Sequence, residues 1–215
     1  MKKYYWIIFV VSFACNSNFE LIEGDLLFQD LDSSPICDAI ELVTPGYQDA
    51  NLSHIGVVVY NNGQLKVLEA IPPAVILTDI NSFLNRSFDK YGKQKVMVGR
   101  LKKEYKEAIP DAINFMKNKI GIKYDDEFLL NNNSYYCSEL IYEAFIKDSI
   151  FKLEPMNFLH PITKDTLLAW KQYYSNLKRE IPQEKLGINP GTMSLSKKIN
   201  IVHFYGMPNG IKRQL

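Results

Sequence analysis

The sequence predicts an α+β fold, with strands and helices partly segregated rather than woven into successive βαβ units. Three observations carry this. The β-branched run Ile55 to Tyr60 is followed by Asn61-Asn62-Gly63 and a second run, Gln64 to Ala70, the pattern of a hairpin with positive-φ turn residues. Lys95 to Leu101 reads as a further strand. Tyr105 to Ile120 and Ser138 to Ile146 each place apolar residues at helical spacing. The chain has 215 residues, 47% hydrophobic and 23% charged, enough for one domain whose core needs neither disulfides nor metal.

Residues 1–14 read as a signal peptide. Lys2-Lys3 precedes an apolar run from Tyr4 to Val11, then the small-residue site Ser12-Phe13-Ala14-Cys15. The run falls short of the about 20 residues that span a bilayer. Ordinary cleavage after Ala14 is one reading. A lipobox, which would lipidate Cys15 and tie the chain to a membrane, is the favoured one, although Phe13 is bulky for that motif. Residues 15–22 then form a polar tether and residues 23–215 a single domain. The expected location is the cell envelope: a membrane-anchored lipoprotein, otherwise a periplasmic or secreted protein.

Along the domain, Gly24 to Gln29 is a turn leading into a short strand. Asp30 to Gly46, with Pro35 and Pro45, reads as loop with a helical turn. Pro72-Pro73 ends the second hairpin strand. Val75 to Leu77 is a short strand, and Asp79 is a candidate N-cap for helical turns running to Asn85. Pro110 fits a helix only in its first turn, and Gly121 is a stop signal. Beyond Lys152 the pattern weakens to one candidate helix, Lys164 to Tyr174.

Lys+Arg 25 against Asp+Glu 24 gives a net charge of +1, so no electrostatic argument favours a nucleic-acid partner. No zinc-ligand spacing, phosphate loop, dinucleotide fingerprint or Gly-x-Ser-x-Gly string occurs, so no cofactor or metal is expected.

The residues that suit chemistry are Cys137, His54 and Glu69. Cys137 opens a predicted helix, where unpaired N–H groups and the positive end of the dipole favour an anion and offer oxyanion donors. A two-residue turn at Asn62-Gly63 pairs Tyr60 with Leu65, Val58 with Val67 and Gly56 with Glu69. His54 and Glu69 then share a sheet face as diagonal neighbours, roughly 7–8 Å apart between backbones; a three-residue turn would split them. Glu69 would orient the imidazole, and Gly56 would leave room for the pair. Asp25, as a turn residue or brace, Gln29, as an oxyanion donor, and Tyr124 and Tyr136, as pocket walls, are secondary candidates for substrate contact.

Five strings occur in order: Gly24-Asp25-Leu26-Leu27-Phe28-Gln29, Ser53-His54-Ile55-Gly56-Val57-Val58, Leu68-Glu69-Ala70, Lys123-Tyr124-Asp125 and Tyr136-Cys137-Ser138-Glu139-Leu140. Together they resemble the YiiX/YaeF-like branch of the NlpC/P60 superfamily, the circularly permuted papain-like enzymes. Gly187-Ile188-Asn189-Pro190-Gly191 resembles a later element of that family. The resemblance implies a small antiparallel sheet or barrel packed against helices, and a thiol hydrolase acting on a cell-wall peptide or related amide through an acyl-enzyme. It leaves open an N-acyl amide or lipid ester as substrate, with acyl transfer as a variant. Against these stand a non-catalytic peptide- or lipid-binding lipoprotein, and a structural protein with a Cys37–Cys137 disulfide. Aliphatic pocket walls would favour an acyl substrate; a polar, acidic groove would favour a peptide amine.

Overall fold

The computed structural model describes residues 19–212, so the expected signal peptide and Cys15 lie outside the described residues. A six-stranded antiparallel sheet forms the centre. It contains β1 (Leu26–Gln29), β2 (His54–Asn61), β3 (Gln64–Ile71), β4 (Ala74–Asp79), β5 (Val96–Leu101) and β8 (Ile199–Phe204), in the order β4-β3-β2-β1-β5-β8. The sheet is open, with β4 and β8 at its edges, so the barrel alternative is set aside. A two-stranded ribbon, β6 (Glu154–Pro155) with β7 (Leu186–Gly187), lies apart.

The hairpin register is the one the two-residue turn requires. Asn61 pairs with Gln64, Tyr60 with Leu65 and Val58 with Val67. Asn62 and Gly63 take φ of 49° and 77°, the left-handed pair that matches strand twist. Alternation then sorts the side chains into two layers. Leu26, Phe28, Ile55, Val57, Leu68 and Ala70 face a large core beneath α3 (Ile109–Lys117) and α4 (Cys137–Ala144). Leu27, Val58 and Val67 face a smaller cluster closed by Phe83 of α2 (Ile80–Leu84). Each fully buried Leu, Ile, Val or Phe contributes about 1.5–3 kcal/mol.

Gly56 lies on the smaller face. A Cβ there would overlap a Val67 methyl and stand 3.1 Å from Phe83 Cε2. Gly56→Ala is therefore expected to destabilise the fold by about 1–3 kcal/mol through overpacking. Urea unfolding checks it, and an unchanged midpoint would show that the site relaxes freely.

Several expectations need correction. Asp30 to Gly46 contains a nine-residue helix, α1 (Pro35–Val43), with Pro35 in the first turn, where a missing N–H costs nothing. The helix expected from Tyr105 begins as a 3-10 segment, Lys103–Ala108, with α3 proper starting at Ile109. Asp79 precedes α2 but makes no side-chain cap; it pairs with Lys66 across the sheet instead. The candidate helix near Lys164 is α5 (Leu168–Leu177), and α6 (Pro190–Ser194) and β8 follow it. Residues 19–22 belong to the folded unit rather than to a tether: the Phe19 ring stacks on His203 at 4.1 Å, and Leu21 packs on the smaller cluster. Among the described residues no helix is long and apolar enough to cross a membrane.

Candidate active site

His54 is the first residue of β2, at the end of the strand, and Glu69 follows Leu68, the β3 partner of Val57. Their side chains meet: His54 Nε2 stands 2.6 Å from Glu69 Oε2. Both are buried, His54 5% exposed and Glu69 not at all. Phe83 packs beside the imidazole, with ring centroids 5.7 Å apart.

Cys137 arrives from the other layer. It is the first residue of α4, a helix that packs on β2 and β3 through Leu140 and Ile141. Its sulfur interacts with the His54 imidazole. With Nε2 committed to Glu69, Nδ1 is the nitrogen available to the thiol. The first N–H groups of α4 have no intrahelical acceptor, and Cys137 is the residue that opens the helix.

The charges form a chain. Burial disfavours the imidazolium of His54, but Cys137 and Glu69 outweigh it and raise its pKa from 6.5 to about 9. Burial likewise opposes ionised Glu69, but Arg86 and His54 prevail and hold its carboxyl down to about 2. Glu139, in the first turn of α4, is fully buried. Burial, reinforced by Asp125, lifts its carboxyl to about 8. Neutral pH therefore favours the protonated carboxyl, whose Oε2 accepts from Tyr136 N at 3.4 Å, the amide that precedes α4.

The secondary candidates are distributed unevenly. Tyr124 and Tyr136 line a cleft together with Cys137 and Ser138. The Tyr136 hydroxyl also accepts a hydrogen bond from Ile188 N at 3.2 Å. Gln29 pairs with His54 across β1 and β2, but its Nε2 donates to Phe83 O at 2.8 Å, so the amide braces α2. Asp25 sits at the opposite end of β1, buried against Arg100 (2.7 Å), and accepts from Ile22 N, a brace remote from the thiol. His160 accepts from the backbone of its own loop, Ile162 N and Thr163 N. Cys37 and Cys137 are both free thiols, which removes the disulfide alternative.

Sequence reasoning missed two groups of residues. Arg86 and Thr78 both hold Glu69, and no local pattern marks either one. The cleft walls Phe128, Phe158 and Trp170 come from the poorly patterned C-terminal third or from the loop before Cys137. Ile188 and Asn189 also line it, and they belong to the string 187–191 noted above.

The permuted papain-like amidase enzyme family, YaeF/YiiX, C92, matches residues 20–203 of this chain. The crystal structure of the metalloprotein YiiX from Escherichia coli O157:H7 superposes with a TM-score of 0.68 at 22% identity, covering 86% of this chain and 98% of that one. A search of curated proteins gives no match. Among the described residues no group of three or more His, Cys, Asp or Glu side chains is placed to hold a metal ion, and the Glu69 oxygens are already taken. With the matched span, the shared fold and a thiol–imidazole site at a helix start, the chain belongs to the YaeF/YiiX permuted papain-like amidase family and is a cysteine hydrolase.

Proposed function

We propose that this amidase works through Cys137 as nucleophile, His54 as base and Glu69 as the orienting carboxylate. Cys137 Sγ, having passed its proton to His54 Nδ1, attacks the amide carbonyl as the thiolate of an ion pair. The tetrahedral oxyanion rests on the N–H groups at the start of α4. His54 then returns the proton to the departing amine, leaving a thioester that water hydrolyses. The observation that carries this reading is the buried Glu69–His54 pair at 2.6 Å, with the thiol on the same imidazole.

The substrate reading follows from the cleft. Ile40, Val43, Phe158, Trp170 and Ile188 wall it, and among the described residues no charged side chain lines it. Those walls support an N-acyl amide, with the apolar acyl part in the cleft, over a cationic peptide amine. The cell-wall peptide reading draws support from an adjoining groove that contains Glu154, Asn157 and Asn189. Export and a lipidated Cys15, resting on the leader sequence, would place the enzyme at a membrane, close to acylated substrates.

A parallel screen of muropeptides and fatty-acyl amides with the wild-type protein separates the two readings. Faster turnover of acyl amides, rising with chain length and lost in Trp170→Ala, is expected. Cleavage of muropeptides without any acyl-amide hydrolysis would overturn the substrate assignment.

A further inference from the structure

Glu69 makes more bonds than a triad carboxylate needs. Arg86 Nη1 donates to Oε2 at 2.7 Å and Arg86 Nη2 to Oε1 at 2.6 Å, a two-pronged grip, and the Thr78 hydroxyl also donates to Oε1. Oε2 is thus shared between Arg86 and His54 Nε2. Arg86 follows α2, and its guanidinium lies over the Phe83 ring, 5.0 Å from the centroid. Its side chain is 22% exposed, so it reaches Glu69 from the surface on the face away from α4. We infer that Arg86 is a positioning residue: its fork on both oxygens keeps Oε2 aimed at His54 Nε2 while a proton moves between Cys137 and His54. This inference rests on the triad reading proposed above.

Counting charges shows why the grip matters. With a neutral thiol and a neutral imidazole, Glu69 and Arg86 sum to zero. After the proton passes from Sγ to Nδ1, thiolate, imidazolium, carboxylate and guanidinium again sum to zero. Proton transfer therefore takes place inside a cluster that is neutral at both ends of the step. Without Arg86 the neutral-imidazole state would bury a lone carboxylate, which low polarity drives towards its protonated form. A protonated or rotated Glu69 no longer accepts from Nε2–H. Lysine at this position would restore the charge but not the planar fork. The groups facing Glu69 are His54 from β2, Thr78 from β4 and Arg86 after α2; Cys137 of α4 acts through His54.

The chain holds three histidines, so imidazole NMR titration can follow each one. His54 in the wild type is expected to titrate near 9. In Arg86→Lys, which keeps the positive charge and loses the fork, its midpoint should fall by at least about one unit, a tenfold loss of proton affinity, with His160 and His203 unmoved. Iodoacetamide should then alkylate Cys137 more slowly at pH 7 in that variant. An unchanged or raised His54 midpoint in folded Arg86→Lys overturns the inference, as does failure of Arg86→Lys to fold, which would make Arg86 structural. A wild-type His54 midpoint near 6.5 would instead sink the triad reading. A wild-type midpoint near 9 that does not move in Arg86→Lys sinks only the role of Arg86.

Discussion

Cys137→Ala is expected to lower amide hydrolysis by at least about 10⁴-fold while leaving the fold intact. Among the described residues no other thiol can substitute, since Cys37 lies in α1, with Ser33 and Ser34 as the hydroxyls beside its sulfur. Alanine is well suited to a helix, and the loss is confined to one small buried side chain, 6% exposed, so thermal unfolding should shift little. The variant should also lower the His54 titration midpoint, because the sulfur is one of the two groups that raise it. Steady-state assay and imidazole NMR on the same preparation check both effects. Activity within tenfold of the wild type would remove the thiol from the mechanism.

Glu69→Gln is expected to damage both activity and stability. Breaking a buried ion pair by removing one partner costs about 3–5 kcal/mol. The lower end applies here, because Arg86 is partly exposed and can turn its charge to water. Activity should fall by about 10³–10⁴-fold, as a carboxamide no longer fixes the tautomer or supports the imidazolium. The pH dependence tests the same chain of charges. Glu69 has its pKa depressed from 4.5 to about 2, so its contribution is present above pH 4.5 and is lost as pH falls towards 2. His54 has its pKa raised from 6.5 to about 9, so its contribution is full below pH 6.5 and is lost as pH rises through 9. Wild-type stability from the pair is therefore greatest between about pH 4.5 and 6.5, and both limbs should flatten in Glu69→Gln. A variant whose melting temperature follows the wild-type pH curve would show that the pair does not set it.

The parts legible in the sequence were those written in local periodicity. Asn62-Gly63 declared its own turn, and the alternation on either side set which residues share a face, so the meeting of His54 and Glu69 could be placed before any coordinates. Cys137 at a helix start was equally local. What escaped was written across distance. Arg86 lies 17 residues beyond Glu69, after a five-residue helix, and nothing in Asn85-Arg86-Ser87 signals a partner. The helix α1 was obscured by Pro35, a residue that breaks helices everywhere except at their first turn. The last sheet strand, Ile199–Phe204, has only a partly buried pattern, because an edge strand has a neighbour on one side only. The cleft walls depend on α5, whose exposed Leu168 blurs the apolar stripe that contains Trp170 and Tyr174.

The tips of hairpins are ordinarily where chains accept extra residues most readily, being exposed and far from the core. Here the tip at Asn62-Gly63, eight residues along β2 from the imidazole and roughly 25 Å away at strand spacing, acts as the phase marker for the whole ribbon. Exchange of one tip residue for another leaves that phase alone, whereas adding a single residue would rotate the carboxylate into the apolar layer under α4. Natural length variation in this enzyme should therefore be found at its other loops, and the safest place for a tag or graft is somewhere other than its most accessible turn.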